Sequence, residues 1–109
     1  MFMGSSRLIL VVTLEVRKDA AAAFERFETQ AAAILSRWEG RIERVIRLDE
    51  VTSGDTFQEV HIVSFRDQGA FDAYRRDPDL AALKSLRDGA IVRTEVVQGR
   101  DLSTFGGAE

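Results

Sequence analysis

The sequence contains no cysteine and a single histidine, His61, in 109 residues. Without cysteine the chain has no disulfide framework, thiol nucleophile or thiolate metal site, and one histidine is too few for a usual zinc site. Carboxylates such as Glu15, Glu59 and Glu95 leave an oxygen-ligand metal site formally open. We expect no cofactor and no bound metal.

The sequence also lacks long apolar runs, an excess of basic residues and phosphate-binding motifs. A net charge of −3 argues against a nucleic-acid partner. No segment approaches the roughly 20 apolar residues that span a bilayer, and residues 8–14 are too short, without a small-residue cleavage site, for a signal peptide. Nucleotide-binding glycine motifs and the G-x-S-x-G hydrolase motif are missing. We therefore expect a cytoplasmic protein that binds neither nucleic acid nor membrane.

The length fits one domain, which we place at residues 7–98, between a flexible N-terminus at 1–6 and a C-terminal tail at 99–109. Apolar stretches rich in β-branched residues predict strands at 7–16, 41–51, 57–65 and 90–97. The two middle strands flank a Gly-containing turn at 52–56, so we expect an antiparallel hairpin.

Two helical regions separate the strands. The first is predicted to be capped by Asp19 and ended by Gly40, with an apolar stripe of Phe24, Phe27, Ala31, Ile34 or Leu35, and Trp38. The second is predicted to be capped by Asp67, to restart at Asp77-Pro78 and to end at Gly89. Its apolar positions are Phe71, Tyr74, Leu80, Leu83 and Leu86.

The order β-α-β-β-α-β predicts a ferredoxin-like α+β fold, with a four-stranded antiparallel sheet of order 4-1-3-2 and both helical regions on one face. The other face is then uncovered. We expect it to carry a large apolar area, formed by Ile9, Val11, Val63, Phe65, Ile91 and Val97. Such an area is too large to leave in water, so the sequence predicts a homodimer through the sheet face.

Alternation along the strands assigns side chains to faces. We assign to the helix face Leu8, Leu10, Val12 and Leu14 of the first strand, Val60 and Ile62 of the third, and Val92 and Val96 of the fourth. The other face then carries Thr13, Glu15, Glu59, His61, Arg93 and Glu95, with Arg47 opposite His61. Ionisable groups thus collect on the face that meets the partner subunit, where they are either solvated ion pairs or part of a site.

The segment HIVSFRDQGAFDAYRRDPDLAALKSLRDGA, residues 61–90, resembles the strand, short helix, Asp-Pro break and second helical turn of a bacterial family of unknown function in the dimeric α/β-barrel superfamily. That superfamily includes the antibiotic-biosynthesis monooxygenases, and the resemblance covers nearly the whole chain. It implies a dimer that encloses a cavity used for cofactor-free oxidation, isomerisation, decarboxylation or haem degradation, or for no established chemistry. Haem-degrading members use an asparagine, which this chain lacks.

We predict a dimer that holds a small, partly apolar organic molecule in a cavity between sheet and helices. Its candidate ligand-binding residues are Arg47, Glu59, Val63, Phe65, Tyr74 and Arg93. His61 is the candidate catalytic residue, because histidine suits proton transfer near neutral pH and would remove a proton from a phenolic or enolic substrate. Two alternatives stay open: a cofactor-independent monooxygenase or isomerase with this base, and a structural or regulatory dimer in which His61 only packs.

Overall fold

The computed structural model describes residues 7–49 and 54–102, and these confirm the predicted β-α-β-β-α-β order. The strands are β1 (Leu8–Arg17), β2 (Arg41–Arg47), β3 (Thr56–Phe65) and β4 (Ile91–Arg100). The helices are α1 (Ala21–Arg37), between β1 and β2, and α2 (Gln68–Arg75), α3 (Pro78–Ala81) and α4 (Lys84–Ala90), between β3 and β4. The predicted flexible N-terminus, part of the hairpin turn and the tail beyond residue 102 lie outside the described residues.

The sheet is antiparallel, with the order β2-β3-β1-β4, which is the predicted order 4-1-3-2 read from the other edge. β1 pairs with β3 along its whole length, from Leu8 opposite Phe65 to Arg17 opposite Thr56. On its other side β1 pairs with β4 as far as Arg100, so the strand runs past its predicted end at Val97. The two strands with the most apolar sequences are therefore central.

The predicted face assignment is correct for β1 and wrong for β3. Leu10 and Leu14 are buried beneath the helices as predicted, but the pairing places Val63 opposite Leu10 and His61 opposite Val12. The residues of β3 that face the helices are thus Phe57, Glu59, His61, Val63 and Phe65. Val60 and Ile62 lie on the opposite face.

The aromatic rings explain why β3 takes this register. Phe57 packs edge-on against Phe24 of α1 at 6.1 Å between ring centroids, and Phe65 packs against Phe71 of α2 at 5.3 Å. Burying two phenylalanines contributes more free energy than burying the smaller Val60 and Ile62. The polar residues between the rings are consequently buried as well.

The ends of α1 differ from the prediction in detail. Asp19 is not its cap, because it lies in a 3-10 turn (Lys18–Ala20) and the helix begins without a side-chain cap. At the other end Glu39 adopts a left-handed backbone, with φ of 62°, and the Gly40 amide donates to the Leu35 carbonyl at 2.9 Å. Gly40 is needed for space, since a Cβ there would lie 2.7 Å from Leu35 and 2.8 Å from Phe65.

Three short helices form the rest of the helical layer. Asp67 caps α2 as predicted, accepting from the Ala70 amide at 2.9 Å. Asp77 caps α3, with Pro78 in the first turn, and its buried carboxylate also accepts from Trp38 Nε1 at 2.8 Å. α4 ends at Ala90, one residue beyond Gly89. Among the described residues no helix is long and apolar enough to cross a membrane.

The face of the sheet away from the helices is open and largely apolar; we call it the open face. Its apolar residues are Ile9, Val11, Ile46, Val60, Ile62 and Val97. Ile9, Val11 and Val97 were predicted there. Three more residues were predicted there but lie in the core: Val63, Phe65 and Ile91. Val63 and Phe65 are buried because of the register of β3. Ile91 is buried because the irregular pairing at Glu15/Val16 brings it opposite the buried Val16.

Candidate functional site

A cavity of about 440 Å³ lies between the helix face of the sheet and the helices. Most of its wall is apolar. The sheet contributes side chains to it mainly from β1, β3 and β4, and all four helices contribute the rest. The apolar lining includes Leu10, Val12, Leu14, Phe27, Ala31, Leu35, Val63, Phe65, Phe71 and Ile91. His61 lies in this wall, so the histidine belongs to the cavity beneath the helices and not to the open face.

Three ionisable residues are joined by hydrogen bonds from the sheet edge to the cavity. Arg47 of β2 donates to Glu59 Oε2 from Nη2 at 2.6 Å and from Nε at 3.0 Å, and its guanidinium lies 4.0 Å over the Phe57 ring. Glu59 Oε1 lies 2.8 Å from His61 Nε2. The Arg47 side chain is 60% exposed, but those of Glu59 and His61 are only 7% and 5% exposed.

These contacts determine the charge of Glu59 and the tautomer of His61. Burial raises the pKa of the Glu59 carboxyl, but the hydrogen bonds from His61 and Arg47 and the Arg47 charge outweigh it, so the pKa lies below its usual range. An ionised carboxylate can only accept, so Nε2 of His61 carries the proton. The Nδ1 atom of a neutral His61 is then the nitrogen that is free to accept a proton.

Glu28 of α1 faces this nitrogen from the helix side. Its Oε1 lies 3.7 Å from His61 Nδ1, which is too long for a hydrogen bond, and Glu28 also lines the cavity. Burial raises the pKa of the Glu28 carboxyl. The His61 charge lowers this pKa and the Glu59 charge raises it, and the net shift is upward. His61 is therefore set between a firmly ionised carboxylate and one that protonates more readily than usual.

A second group of polar residues lines the cavity beneath α2 and α4. Arg87 Nη2 donates to Thr94 Oγ1 at 3.0 Å, and Tyr74 lies in the same lining. Burial raises the pKa of Tyr74 to about 12; the Glu28 charge raises it and the Arg87 charge lowers it. The Tyr74 hydroxyl is therefore protonated at neutral pH and available as a donor.

The structure brings together most of the predicted site residues, although on a different face. His61, Val63, Phe65 and Tyr74 line the cavity, and Glu59 and Arg47 are linked to it through His61. Arg47 is paired with Glu59 and not, as predicted, with His61, which is opposite Val45. The sixth predicted ligand residue, Arg93, does not belong to the site.

Arg93 points to the opposite side of the sheet. It pairs with Glu15 across β1 and β4, its side chain is 66% exposed, and Nη2 lies 2.7 Å from Glu95 Oε2. The prediction placed it beside His61 because both were assigned to one face, and the actual register of β3 separates them.

Sequence reasoning missed Glu28, Arg87 and Thr94. Glu28 is four residues after Phe24 and three before Ala31, so it falls within the apolar stripe of α1. A carboxylate within an apolar stripe could have indicated a functional residue. Arg87 follows Leu86 and gave no such signal, because its place depends on how α4 packs against β4. Within the described residues, no group of three or more His, Asp or Glu side chains is arranged to hold a metal ion.

No protein-family model and no curated protein matches the sequence. Solved structures do match its fold. A putative antibiotic biosynthesis monooxygenase from Nitrosomonas europaea is 12% identical, with a TM-score of 0.70, and the match covers 94% of this chain and 96% of that one.

Two further structures extend the comparison. A mutant form of SnoaB, a cofactor-independent oxygenase from Streptomyces nogalater, is 18% identical with a TM-score of 0.62, covering 88% of this chain and 93% of that one. A dimeric protein of unknown function and ferredoxin-like fold from Bacteroides fragilis is 14% identical with a TM-score of 0.62, covering 93% and 100%. The chain has the ferredoxin-like fold that these monooxygenase-like and uncharacterised proteins share, as its sequence predicted.

Proposed function

We propose that this protein binds a small, partly apolar organic molecule in the cavity beneath its helices, and that His61 acts on it as a general base. The observation that carries the proposal is the hydrogen bond between Glu59 and His61 in the wall of an otherwise apolar cavity of about 440 Å³. Cavities of this size with a few convergent polar groups are the usual form of small-molecule sites.

The chemistry follows from the protonation states. Glu59 holds the proton of His61 on Nε2 and stabilises the imidazolium that forms when Nδ1 takes a proton from the ligand. Arg47 keeps Glu59 ionised. The most suitable substrate proton is that of a phenol, an enol or a carbon next to a carbonyl, because its loss leaves an anion that is delocalised over the apolar body of the molecule.

Oxygenation without a cofactor is the reaction that the comparison with SnoaB favours. The deprotonated, electron-rich substrate forms a carbon–oxygen bond to dioxygen, and the O–O bond then breaks. One oxygen atom stays in the product as a carbonyl, and the other leaves as water with the proton held by His61 and the second hydrogen lost from the oxygenated carbon. Isomerisation is the alternative outcome of the same first step, in which the proton returns to a different atom.

The proposal includes a homodimer formed through the open face. Val97 and Ile46 are 62% and 41% exposed there, and Val11 lies between them at the centre of the sheet. Burying such an area is favourable by roughly 25 cal/mol per Å². The protein of similar fold from Bacteroides fragilis is a dimer. Sedimentation should give a dimer for the wild type and a monomer for Val11→Lys, with Ala33→Lys on the exposed face of α1 as the control.

Ligand binding is tested with a pair of neighbouring alanines. Ala32 lines the cavity and Ala33 is exposed on the same helix. A panel of aromatic and alicyclic metabolites should contain compounds that raise the melting temperature of the wild type and of Ala33→Leu but not of Ala32→Leu, whose side chain fills the cavity. If no compound shifts the wild type, the structural or regulatory dimer becomes the better account.

Catalysis is tested separately with an anthrone and dioxygen. We expect His61→Gln to lower kcat by about 10²–10⁴-fold, the usual contribution of a general base. Arg76→Gln, an exposed change outside the cavity, should keep the wild-type rate. Oxygen uptake and product formation should be measured together, and equal rates for wild type and His61→Gln would remove His61 from the mechanism.

A further inference from the structure

The wall of the cavity beneath α2 and α4 is rich in hydrogen-bond donors. Arg87 lines the cavity and donates to Thr94 Oγ1, which leaves the Thr94 hydroxyl hydrogen free to donate. The Tyr74 hydroxyl has no hydrogen-bond partner within residues 7–49 and 54–102, although the residue is largely buried and lines the cavity. Three donors thus belong to one part of the wall.

This donor wall is also positively charged. Arg75 and Lys84 line the cavity with Arg87, and the Arg75 guanidinium lies 4.6 Å from the centre of the Phe71 ring, another lining residue. Their carboxylate partners, Asp72 and Asp88, are not part of the lining.

His61 and Glu28 also line the cavity, and the Glu59 carboxylate lies behind His61, outside the lining. A molecule in the cavity therefore meets a base and one carboxylate as well as donors with positive charge. The apolar surface around these groups is far larger than a small inorganic anion can cover.

We propose that the cavity selects molecules with an apolar body and one acidic oxygen, a carboxylate or an enolate-type oxygen, which Arg87 and Tyr74 bind. The inference rests on the proposed function, because it specifies the chemical class of the ligand for the same cavity. With the acidic oxygen against Arg87 and Tyr74, the apolar body packs against the apolar part of the lining. Where the bound oxygen is a carbonyl oxygen and His61 takes a proton from a carbon conjugated with it, the same donors stabilise the negative charge that develops on that oxygen.

Matched ligands test the inference by calorimetry. Benzoate, 2-naphthoate and 2-anthroate are each compared with the amide of the same ring system, which has the same shape without the charge, and 2-naphthol is added as a source of an enolate-type oxygen. We expect at least one acid to bind the wild type about tenfold or more tighter than its amide, since hydrogen bonds to charged groups are worth more than neutral ones. Tighter binding of naphthol at pH values where it ionises would assign the site to an enolate-type oxygen.

Variants of the lining residues identify which side chains bind the acid. Arg87→Gln should weaken binding of the acid about tenfold while leaving the amide unchanged, and Tyr74→Phe should weaken it less. Arg76→Gln removes the same charge outside the cavity and should leave both affinities unchanged. If Arg87→Gln does not fold, Arg75→Gln, at an exposed position in the same lining, replaces it.

The outcomes separate this inference from the proposed function. Equal affinity for acids and amides in the wild type would overturn the selection for an acidic oxygen and leave the cavity as a ligand site. A preference for the acid that survives in Arg87→Gln and Arg75→Gln would place the anion elsewhere and also overturn it. Binding of no compound in the set would count against the inference and the proposed function together.

Discussion

Arg47, Glu59 and His61 form a series of hydrogen-bonded side chains with Glu59 in the middle. Replacing Glu59 by glutamine removes its charge with almost no change in shape. Glutamine can still accept a hydrogen bond from His61 Nε2, but the bond is then between neutral groups. Hydrogen bonds to charged groups contribute about 1.5–3 kcal/mol and neutral ones about 1 kcal/mol, so this bond loses about 1 kcal/mol. The exposed Arg47 loses its ion partner and faces the amide NH2, which cannot accept its two hydrogen bonds, and this costs roughly a further 0.2–1 kcal/mol. We expect Glu59→Gln to lower the free energy of unfolding by about 1–2 kcal/mol at neutral pH.

The loss should depend on pH in a defined direction. The pKa of Glu59 is lower in the folded protein than its ordinary value of 4.5, so its contribution to stability is present above about pH 4.5 and disappears as the pH falls through the folded pKa. Glu28, whose pKa is raised, acts in the opposite sense, and its contribution is lost as the pH rises through its folded pKa. The difference between wild type and Glu59→Gln should therefore shrink towards acid pH.

Urea denaturation at a fixed protein concentration measures the effect. With a slope of about 1–1.5 kcal/mol per molar for a domain of this size, the midpoint should fall by about 1 M. Glu25→Gln, on the exposed face of α1, is the control for loss of a carboxylate. A midpoint for Glu59→Gln no lower than that of Glu25→Gln, or a difference that grows at acid pH, would contradict a stabilising role for the ionised Glu59.

Three further outcomes are expected. Gly40→Ala should destabilise the protein by about 1–3 kcal/mol in the same urea assay, because its Cβ collides with Leu35 and Phe65. Glu39→Gly should stabilise it by up to about 1 kcal/mol, since glycine adopts a φ of 62° without strain and the ion pair lost with Arg66 is exposed and weak. Tyr74 is the single tyrosine, so its ultraviolet titration should report a pKa of about 12, and Glu28→Gln should lower that pKa.

The order of elements and the strand order could be predicted because they depend on local signals. Alternating and continuous apolar stretches identified the strands, and Asp67 and Asp77-Pro78 marked the starts of two helices. The right-handedness of the crossovers then left one arrangement of the sheet. The cap at Asp19 failed because the chain makes a 3-10 turn first, a choice that the neighbouring alanines do not reveal.

The sequence identified most residues of the site but not the face of the sheet on which they lie. β3 is apolar on both faces, so alternation alone does not decide which set of residues meets the helices. The usual preference for placing charged residues outside pointed Glu59 and His61 away from the core. They can be buried because they are hydrogen-bonded to each other and Glu59 also accepts from Arg47, and these bonds form only when β2 and β3 are paired.

The position of Arg47 has a consequence for how the cavity responds to its surroundings. β2 is an edge strand whose residues are exposed along its length, and Arg47 uses this edge to hold one oxygen of Glu59 while His61 holds the other. Salt, or an acidic group that competes for Arg47, therefore changes the electric field at the imidazole without entering the cavity. By thermodynamic reciprocity, a ligand that alters the charge of His61 changes how tightly Arg47 is held at the margin of the sheet.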